Sequence, residues 1–526
     1  MGILQTLFGA EEEVQGSKLR AIFIGAFVAF GGVLYGYDTG TISGVMAMTY
    51  VKDHFTKVGA FSATETSLIT SILSAGTFCG ALLAPLASDT LGRRPGLLVS
   101  CAIFIVGVIL QTASNTQGLL IAGRVIAGAG VGVLSSIVPL YQSEAAPKWI
   151  RGAVVSCYQW AITIGLLLAS CVNQGTHDRN DSGSYRIPFG LQFLWALILI
   201  IGMIFLPETP RFHVKKGNLE KARASLCKLR GLPRDNKYIE HELDEIVANY
   251  EYEKSFGSTS ILDCFRTANH QLKRITIGIV IQALQQLTGI NFIFYYGVQF
   301  FQNSGIKDAF IIQLTMNIVN VVMTIPGIAL VELAGRRNLL LWGAIGMSIS
   351  EFLVAIIGTA LPNSQAANKT LIAFSCTFIG SFAATWGPLA WVVVGEIFPL
   401  RVRGKSVAIC AASNWLFNFA IAFATPYLVN EDKADLKSKV FFIWGACTFL
   451  CIIFVYLSVY ETKGLTLEEI DELFDTVPSA RQSKGFVPSA TYARTAALME
   501  NQVSYENDSQ EGVPVEKASV DFVEKV

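Results

Sequence analysis

An aspartate lies within a stretch that is otherwise apolar enough to cross a membrane. Asp38 occurs in LYGYDTGTISG (34–44), inside the predicted span 20–45. A carboxylate near the bilayer centre costs about 3 kcal/mol even on the lenient insertion scales. Arg124, at the start of GRVIAGAG in a later apolar stretch, is predicted to lie in the outer half of the membrane, as is Asp38. The two charges are therefore expected to meet, either as a static pair that joins two helices or as a pair that changes during function.

A second polar group consists of carboxamides in QALQQLTGINFIFYYG (282–297). Gln282, Gln285 and Gln286 are spaced by three and four residues, so they share one helix face. Gly289 is expected to loosen the helix before Asn291. Amides both donate and accept hydrogen bonds, which suits the adjacent hydroxyls of a neutral polyol, whereas a charged ligand would require a buried counter-ion that this stretch lacks. The alternative is that these amides only bond helices together.

The composition identifies the solvent of this chain. Its 526 residues are 52% hydrophobic and 15% charged, with a mean hydropathy of +0.47 and no formal net charge. These values indicate a membrane protein and give no sign of a nucleic-acid partner. The sequence has no CxxC or HExxH spacing for a metal and no GxSxG or P-loop motif, so we expect neither a metal, a cofactor nor an enzyme.

The order of apolar windows predicts an all-α membrane protein with twelve transmembrane helices, because about twenty apolar residues cross the hydrocarbon core. The windows are 20–45, 66–88, 96–115, 118–141, 152–174, 187–206, 272–301, 309–332, 338–360, 369–396, 404–429 and 438–459. The charged stretch between the sixth and seventh windows is predicted to form short soluble helices. LTLEEIDELF, after residue 465, predicts one more short helix, and a disordered tail is expected to follow it.

This pattern predicts five regions: a tail (1–19), a six-helix bundle (20–206), a helical linker (207–271), a second six-helix bundle (272–460) and a second tail (461–526). Arginines and lysines in the short loops on one side place both termini and the linker in the cytoplasm, by the positive-inside rule. The sequons at Asn180 and Asn368 are then expected in external loops, where each is a candidate for glycosylation.

Three motifs recur in the same order and at nearly the same separation, which indicates a duplicated six-helix unit. EAAPKWIRG (144–152) matches EIFPLRVRG (396–404), LGRR (91–94) matches AGRR (334–337), and PETPR (207–211) matches YETKG (460–464). Each motif lies where a helix is predicted to meet the cytoplasm, and its charges are expected to pair across helix ends when the two halves close. The alternative, basic residues that only fix topology, does not explain the matched glutamates. The predicted cytoplasmic gate comprises Asp89, Arg93, Arg94, Glu144, Arg151, Glu208, Glu332, Arg336, Arg337, Glu396, Arg403 and Glu461.

A set of motifs along the chain carries a resemblance to a known family. The motifs are GYDTG, LGRR, PLYQSEAAPKWIRG, PETPRF, QQLTGIN, ELAGRR, WGPLAWVVVGEIFPLRVRG and YETKG. The chain resembles the sugar porter family of the major facilitator superfamily over about residues 18 to 475, and looks most like the fungal hexose transporters. The resemblance implies the major facilitator fold, a plasma-membrane location, a functional monomer, and uptake of a monosaccharide by alternating access, with glucose favoured as the substrate. By the same resemblance, Gln159, Asn320, Trp391, Asn414 and Tyr35 join the four amides as substrate-binding residues.

The resemblance also suggests a role for Asp38. Plant monosaccharide/proton symporters and the bacterial xylose/proton symporter share the aspartate and the arginine, so Asp38 is predicted to carry the coupled proton with Arg124 as its partner. Fungal hexose facilitators also carry this aspartate, so uncoupled transport remains an alternative. A sugar sensor, which binds sugar and does not move it, is a further alternative. Ala383 replaces a glutamate of the human facilitators, and Glu351, in the predicted ninth span, has no assigned role.

Overall fold

A computed structural model describes most of the chain. The described residues are 18–56, 59–147, 151–255, 260–267, 270–303, 308–361, 365–399, 402–430, 433–465 and 467–487. The predicted disorder of the tail concerns mostly residues outside these ranges.

Within the described residues, twelve helical segments are long and apolar enough to cross a membrane, which confirms the predicted number. Nine are single helices: the first span Lys18–Ala47, second Ala63–Thr90, third Arg93–Thr112, fourth Gln117–Ala145, fifth Arg151–Thr176, eighth Ala309–Ala334, ninth Arg336–Ala360, eleventh Arg403–Val429 and twelfth Val440–Ser458. Three are split in two: the sixth (Gly183–Gly190 and Gln192–Phe205), seventh (Gln271–Leu287 and Ile290–Asn303) and tenth (Gln365–Ala384 and Trp386–Glu396). A short helix, Thr49–Phe55, follows the first span.

The breaks in the seventh and tenth spans have local causes. Gly289 has a φ of 76°, a left-handed conformation that glycine adopts without steric cost. It also packs against the indole of Trp444, where a larger residue would collide. In the tenth span, Thr385 leaves helical geometry with φ −134° and ψ −83°. The predicted loosening before Asn291 is therefore present, and both breaks lie near mid-membrane.

Spans one to six and seven to twelve form two bundles. Within the first, the first span packs closely on the fifth, and an added Cβ at Gly36 would collide with the carbonyl of Ile162. Small residues allow such close approach of transmembrane helices. The bundles meet chiefly where the second span contacts the eleventh and the fifth contacts the eighth. The seam between the halves is thus built mainly from these four spans, and the first span also contacts the second part of the seventh.

The linker and the start of the tail are helical, as predicted. The linker helices are Pro210–Lys215, Leu219–Arg230 and Lys237–Ser255, followed by a short 3-10 helix, Ile261–Phe265. The three α-helices of the linker share a small hydrophobic core of their own, formed by Val214, Ala222, Leu226, Ile239 and Leu243. After the twelfth span come the helix Leu467–Thr476 and a 3-10 helix, Ala480–Gly485.

One expectation about the loops is wrong. Asn180 is exposed between the fifth and sixth spans, as expected, but Asn368 lies in the first turns of the helix Gln365–Ala384 and is half-buried. Glycosylation requires an accessible loop, so Asn180 is the better acceptor of the two.

Candidate functional site

Three amides from two spans form one hydrogen-bonded cluster at the centre of the second half. Asn414 Nδ2, on the eleventh span, donates to Gln282 Oε1 at 2.7 Å and to Gln285 Oε1 at 2.8 Å. All three residues are buried. The predicted sharing of one helix face is therefore realised, and the face points toward the eleventh span.

The break in the tenth span is tied to this cluster. Gln285 Nε2 donates to the carbonyls of Trp386 and Gly387 at 2.9 and 3.0 Å, and Gln282 Nε2 donates to the carbonyl of Ala390 at 3.3 Å. These carbonyls lie in the first turns of the second half-helix, and a carbonyl has two lone pairs, so each can accept the glutamine donor in addition to an intrahelical bond. The glutamines of the seventh span therefore fix the position of the broken tenth span.

A second group of amides extends from the first. Gln286 Oε1 accepts hydrogen bonds from Asn291 Nδ2 and, at 3.2 Å, from Asn418 Nδ2. Asn418 Oδ1 in turn accepts from Tyr295 at 3.1 Å and from Ser74, on the second span, at 2.7 Å. Asn418 thus joins the amide cluster to the opposite half of the molecule.

The remaining predicted substrate residues are distributed around this network. Gln159 reaches the tenth-span break from the other half, because a Cβ added to Gly387 would lie 3.6 Å from its Nε2. Tyr35 meets Trp415 edge-on across the halves, with ring centroids 5.1 Å apart. Gln159, Tyr35 and Trp391 are half-buried.

Two residues differ from this group. Asn320 is buried on the eighth span, and no hydrogen bond among the described residues connects its side chain to the amide cluster. Trp386, five residues before Trp391, is fully buried and donates its Nε1 hydrogen to the carbonyl of Leu340 at 3.0 Å. Trp386 therefore packs the tenth span on the ninth.

Asp38 and Arg124 are both fully buried, and their charges interact. Gln192 Nε2, on the sixth span, donates to Asp38 Oδ1 at 3.0 Å. Asp38 Oδ2 and the three guanidinium nitrogens of Arg124 have no hydrogen-bond partner among the described residues. Asp38 and Arg124 therefore make no direct hydrogen bond, and each keeps unused hydrogen-bonding capacity.

The predicted gate residues of the first half form a cluster at one face, which we call the terminal face because the first span begins and the twelfth ends there. Arg93 pairs with Glu144 at 2.8 Å. Glu144 also accepts from Thr209 Oγ1 at 2.5 Å. Glu208 accepts from the backbone N–H groups of Arg94 (3.0 Å) and Thr209 (2.7 Å). Burial raises the pKa of the Glu208 carboxyl, and these two backbone donors oppose the rise.

The second half repeats this cluster. Arg336 pairs with Glu396 at 3.0 Å, and Thr462 Oγ1 donates to Glu396 at 2.6 Å. Glu461 accepts from the backbone N–H groups of Arg336 and Arg337 at 2.8 and 3.1 Å. Each half therefore has an arginine, two glutamates and a threonine in the same arrangement, as the duplication requires.

These clusters differ from the expectation in one respect. We expected the charges to pair between the halves, whereas in this structure each pair joins helix ends within one half. The physical reason is that the three motifs of one repeat meet at neighbouring ends of the same bundle.

The other gate residues have separate positions. Asp89 pairs with Lys215 of the linker at 3.0 Å and lies 3.8 Å from Arg93, and Arg403 donates to the carbonyl of Phe398 at 3.0 Å. The side chains of Arg151 and Glu332 lie outside the described residues.

Hydrogen bonds between the halves extend from the face opposite the terminal face to about mid-membrane. Ser67 Oγ donates to the carbonyl of Phe423 at 2.6 Å, and Asn317 Nδ2 donates to Ser170 Oγ at 2.6 Å. At the ends of the fifth and eighth spans on that face, the ring centroids of His177 and Phe310 lie 4.4 Å apart. The seam is therefore held closed along the opposite face.

Sequence reasoning missed four residues of these sites. Asn418 lies four residues after Asn414, so its place on the same helix face was available as a signal. Gln192 was detectable only as an isolated amide in an apolar run. Thr209 and Thr462 occupy matching positions in the two copies of one motif, which was a signal too. Glu351 is now placed: it is fully buried and accepts a hydrogen bond from Thr448 on the twelfth span at 2.8 Å.

Comparison with known proteins identifies the family. The sequence profile described as "Sugar (and other) transporter" matches residues 24–474. The chain belongs to the sugar porter family of the major facilitator superfamily. Members of this family are membrane sugar transporters, not enzymes, and relatives named as fungal hexose and glucose transporters match over most of this sugar porter.

Three relatives show the range of the similarity. The major facilitator-type transporter ecdD of Aspergillus rugulosus is 53% identical, with 92% of each chain covered. The high glucose sensor RGT2 of Saccharomyces cerevisiae is 50% identical over 88% of this sugar porter, which spans 62% of the sensor. The proton:xylose symporter XylE of E. coli, solved with 6-bromo-6-deoxy-D-glucose, has a TM-score of 0.71 at 27% identity, covering 87% of this chain and 100% of XylE.

Proposed function

We propose that this sugar porter carries a hexose, glucose in the first place, across the plasma membrane by alternating access coupled to proton symport. The observation that carries the proposal is the uncharged amide network of Gln282, Gln285, Gln286, Asn414 and Asn418 at the seam of two homologous bundles. Its donors and acceptors match hydroxyl groups, and transporters of this kind bind near mid-membrane where helices are broken.

In this proposal the cargo lies between the amide network and the first half. Gln159, Tyr35 and Trp391 would contact it from the seam, together with Asn291 and Asn320. The relative XylE, solved with a glucose analogue, supports a hexose as cargo.

Proton coupling is assigned to Asp38. Its carboxylate is buried beside an arginine with which it makes no direct hydrogen bond, so its proton occupancy and its pairing with Arg124 can change together. The similarity to XylE, whose title names a proton:xylose symporter, supports this assignment. Uncoupled facilitated transport is the alternative.

The proposed arrangement in the membrane follows the basic residues of the loops. Both termini and the linker would face the cytoplasm, so that the terminal face is the inner one. The bundles would comprise residues 20–206 and 272–460, the linker 207–271 and the tails 1–19 and 461–526, with the monomer as the transporting unit. The closed seam at the opposite face then corresponds to a state closed to the outside.

The proposal is tested by labelled glucose uptake in cells that lack their own hexose carriers. Uptake should alkalinise the medium and fall with a protonophore. Asp38→Asn should abolish accumulation and proton movement while counterflow exchange persists. Glu351→Gln, which alters another buried acid, is the matched control and should retain proton movement. Glucose entry without proton movement in the unaltered protein would establish the uncoupled alternative instead.

A sensor is the second candidate, because RGT2 shares half of its aligned residues with this chain. A sensor would bind glucose and fail to exchange it. Counterflow in proteoliposomes separates the two functions: exchange supports the carrier, and saturable glucose binding without exchange supports the sensor.

A further inference from the structure

A groove opens on the periphery of the second half, near the terminal face, where the seventh span begins and the twelfth ends. It has a volume of about 530 Å³. Its walls include Thr276 and Ile277 of the seventh span, Phe454 and Leu457 of the twelfth, and Pro478 and Ser479 after the tail helix. Leu272 and Leu457 are among its exposed apolar residues, at 42% and 49%. The groove therefore opens toward lipid.

The groove changes character with depth. Gln271 and Ser458 are the end residues of their helices, so they mark the membrane boundary on the terminal face. Ile277, six residues into the seventh span, lies about 9 Å deeper at 1.5 Å per residue. The deep walls are apolar, whereas Lys273, His270 and Ser479 line the mouth. This division matches a molecule with a polar head and an apolar chain.

The mouth carries a positive charge in a fixed position. Lys273 Nζ lies 4.7 Å from the ring centre of Tyr460 and donates to Tyr460 Oη and to the carbonyl of Pro478. An ammonium has three donors, so one remains for a ligand. On the tail helix, Asp471 pairs with Arg274, and Asp475 lies 3.7 Å from His270, whose ring balances that charge only when it is protonated. Lys273 therefore offers a positive charge and a remaining donor to an anion at the mouth.

We propose that this groove binds an anionic phospholipid of the cytoplasmic leaflet, with its phosphate at Lys273 and an acyl chain along Ile277 and Phe454. The leaflet follows from the orientation given under the proposed function. Basic pockets between transmembrane helices on the cytoplasmic side are suited to such headgroups. The lipid would contact the seventh span, which also carries the substrate amides, so the lipid composition would act on the transport cycle.

The test is native mass spectrometry of the full chain in detergent with phosphatidylserine or phosphatidylcholine. We expect preferential retention of phosphatidylserine. Lys273→Gln should weaken that retention about fivefold, the effect of one basic residue near a charged headgroup. Thr276→Trp should fill the groove while leaving Lys273 and its contacts in place, and should also reduce retention. Leu333→Trp, on the exposed surface of the eighth span near the same face, is the matched control.

Equal retention by Thr276→Trp and the unaltered chain would overturn the proposal, as would equal retention of the two lipids. Residues 488–526 are rich in acidic side chains and are the competing anionic occupant. A chain that binds phosphatidylserine only after their deletion would assign the groove to the tail. These readouts do not depend on transport, so they remain informative if the proposed function fails.

Discussion

At the scale of single residues, some amides bond helices within the second half, and others connect that half to the first across the seam. Asn414 and Asn418 lie on one face of the eleventh span, yet they serve different neighbours. Asn414 bonds Gln282 and Gln285, whereas Asn418 bonds Gln286 and the second span. Removing either leaves buried partners unsatisfied, but only Asn418 connects the amides to the other half.

We expect Asn418→Ala and Asn414→Ala to weaken glucose binding roughly 5- to 150-fold, because unsatisfied buried partners cost about 1–3 kcal/mol. Asn418→Ala should also slow exchange, since it removes the hydrogen bond from Ser74 to Asn418 that joins the two halves. Binding and counterflow measured on the same preparations separate the two effects. Identical ratios of binding to exchange in both variants would contradict a linking role for Asn418.

A pH effect follows from Glu208. Burial raises the pKa of its carboxyl, so the folded state binds this proton more readily than the unfolded state. Its contribution to stability is fully present below the ordinary glutamate pKa of about 4.3 and is lost as pH rises through the folded value. The Tm should therefore rise on acidification in that window, and Glu208→Gln should flatten the profile. Glu220→Gln, at an exposed linker position, is the control; a profile unchanged by Glu208→Gln would argue against this effect.

At the scale of helices, the breaks decide where the polar groups lie. Gly289 ends one half of the seventh span, so Asn291 can turn back to Gln286. Directly after the break in the tenth span, the carbonyls of Trp386 and Gly387 accept hydrogen bonds from Gln285. The two broken spans thus satisfy each other inside the membrane.

Gly289→Ala should cost about 1–2 kcal/mol from the left-handed backbone, with more from the collision with Trp444. The expected result is loss of glucose binding at a modestly reduced Tm. Gly395→Ala is a matched control, because a Cβ there has open space. Full binding by Gly289→Ala would show that the break does not position Asn291.

Most of the helices were predictable because the membrane imposes a length and an apolar composition on each. The shared face of Gln282, Gln285 and Gln286 was predictable from three- and four-residue spacing, and the loosening before Asn291 was predictable from Gly289. Gln192 was not, because nothing in the order of residues shows that the sixth span passes Asp38. The pairing of Arg93 with Glu144 within one half also depends on which helix ends are neighbours, and the sequence motif alone does not specify that.

At the scale of the molecule, each half closes its own helix ends at the terminal face, and the halves touch each other along the opposite one. The Arg93–Glu144 and Arg336–Glu396 clusters stabilise two separate bodies. A change of access must then occur at the seam, where Ser170 contacts Asn317.

Joining that contact covalently should stop the cycle. In a background without native cysteines, Ser170→Cys combined with Asn317→Cys should lose counterflow on oxidation and regain it with a reductant. Each single variant under the same treatment is the control. Exchange that persists in the oxidised double variant would mean that the seam between the fifth and eighth spans does not open.

The hydrogen bonding among the central amides has a kinetic consequence. Because Gln282, Gln285 and Asn414 already satisfy one another, an arriving sugar trades its bonds with water for bonds taken from the protein, and such exchanges yield little net free energy. A site of this kind binds its cargo weakly, and the bound sugar has a short residence time. Weak binding favours rapid turnover, since a tightly bound sugar would dissociate slowly on the other side of the membrane.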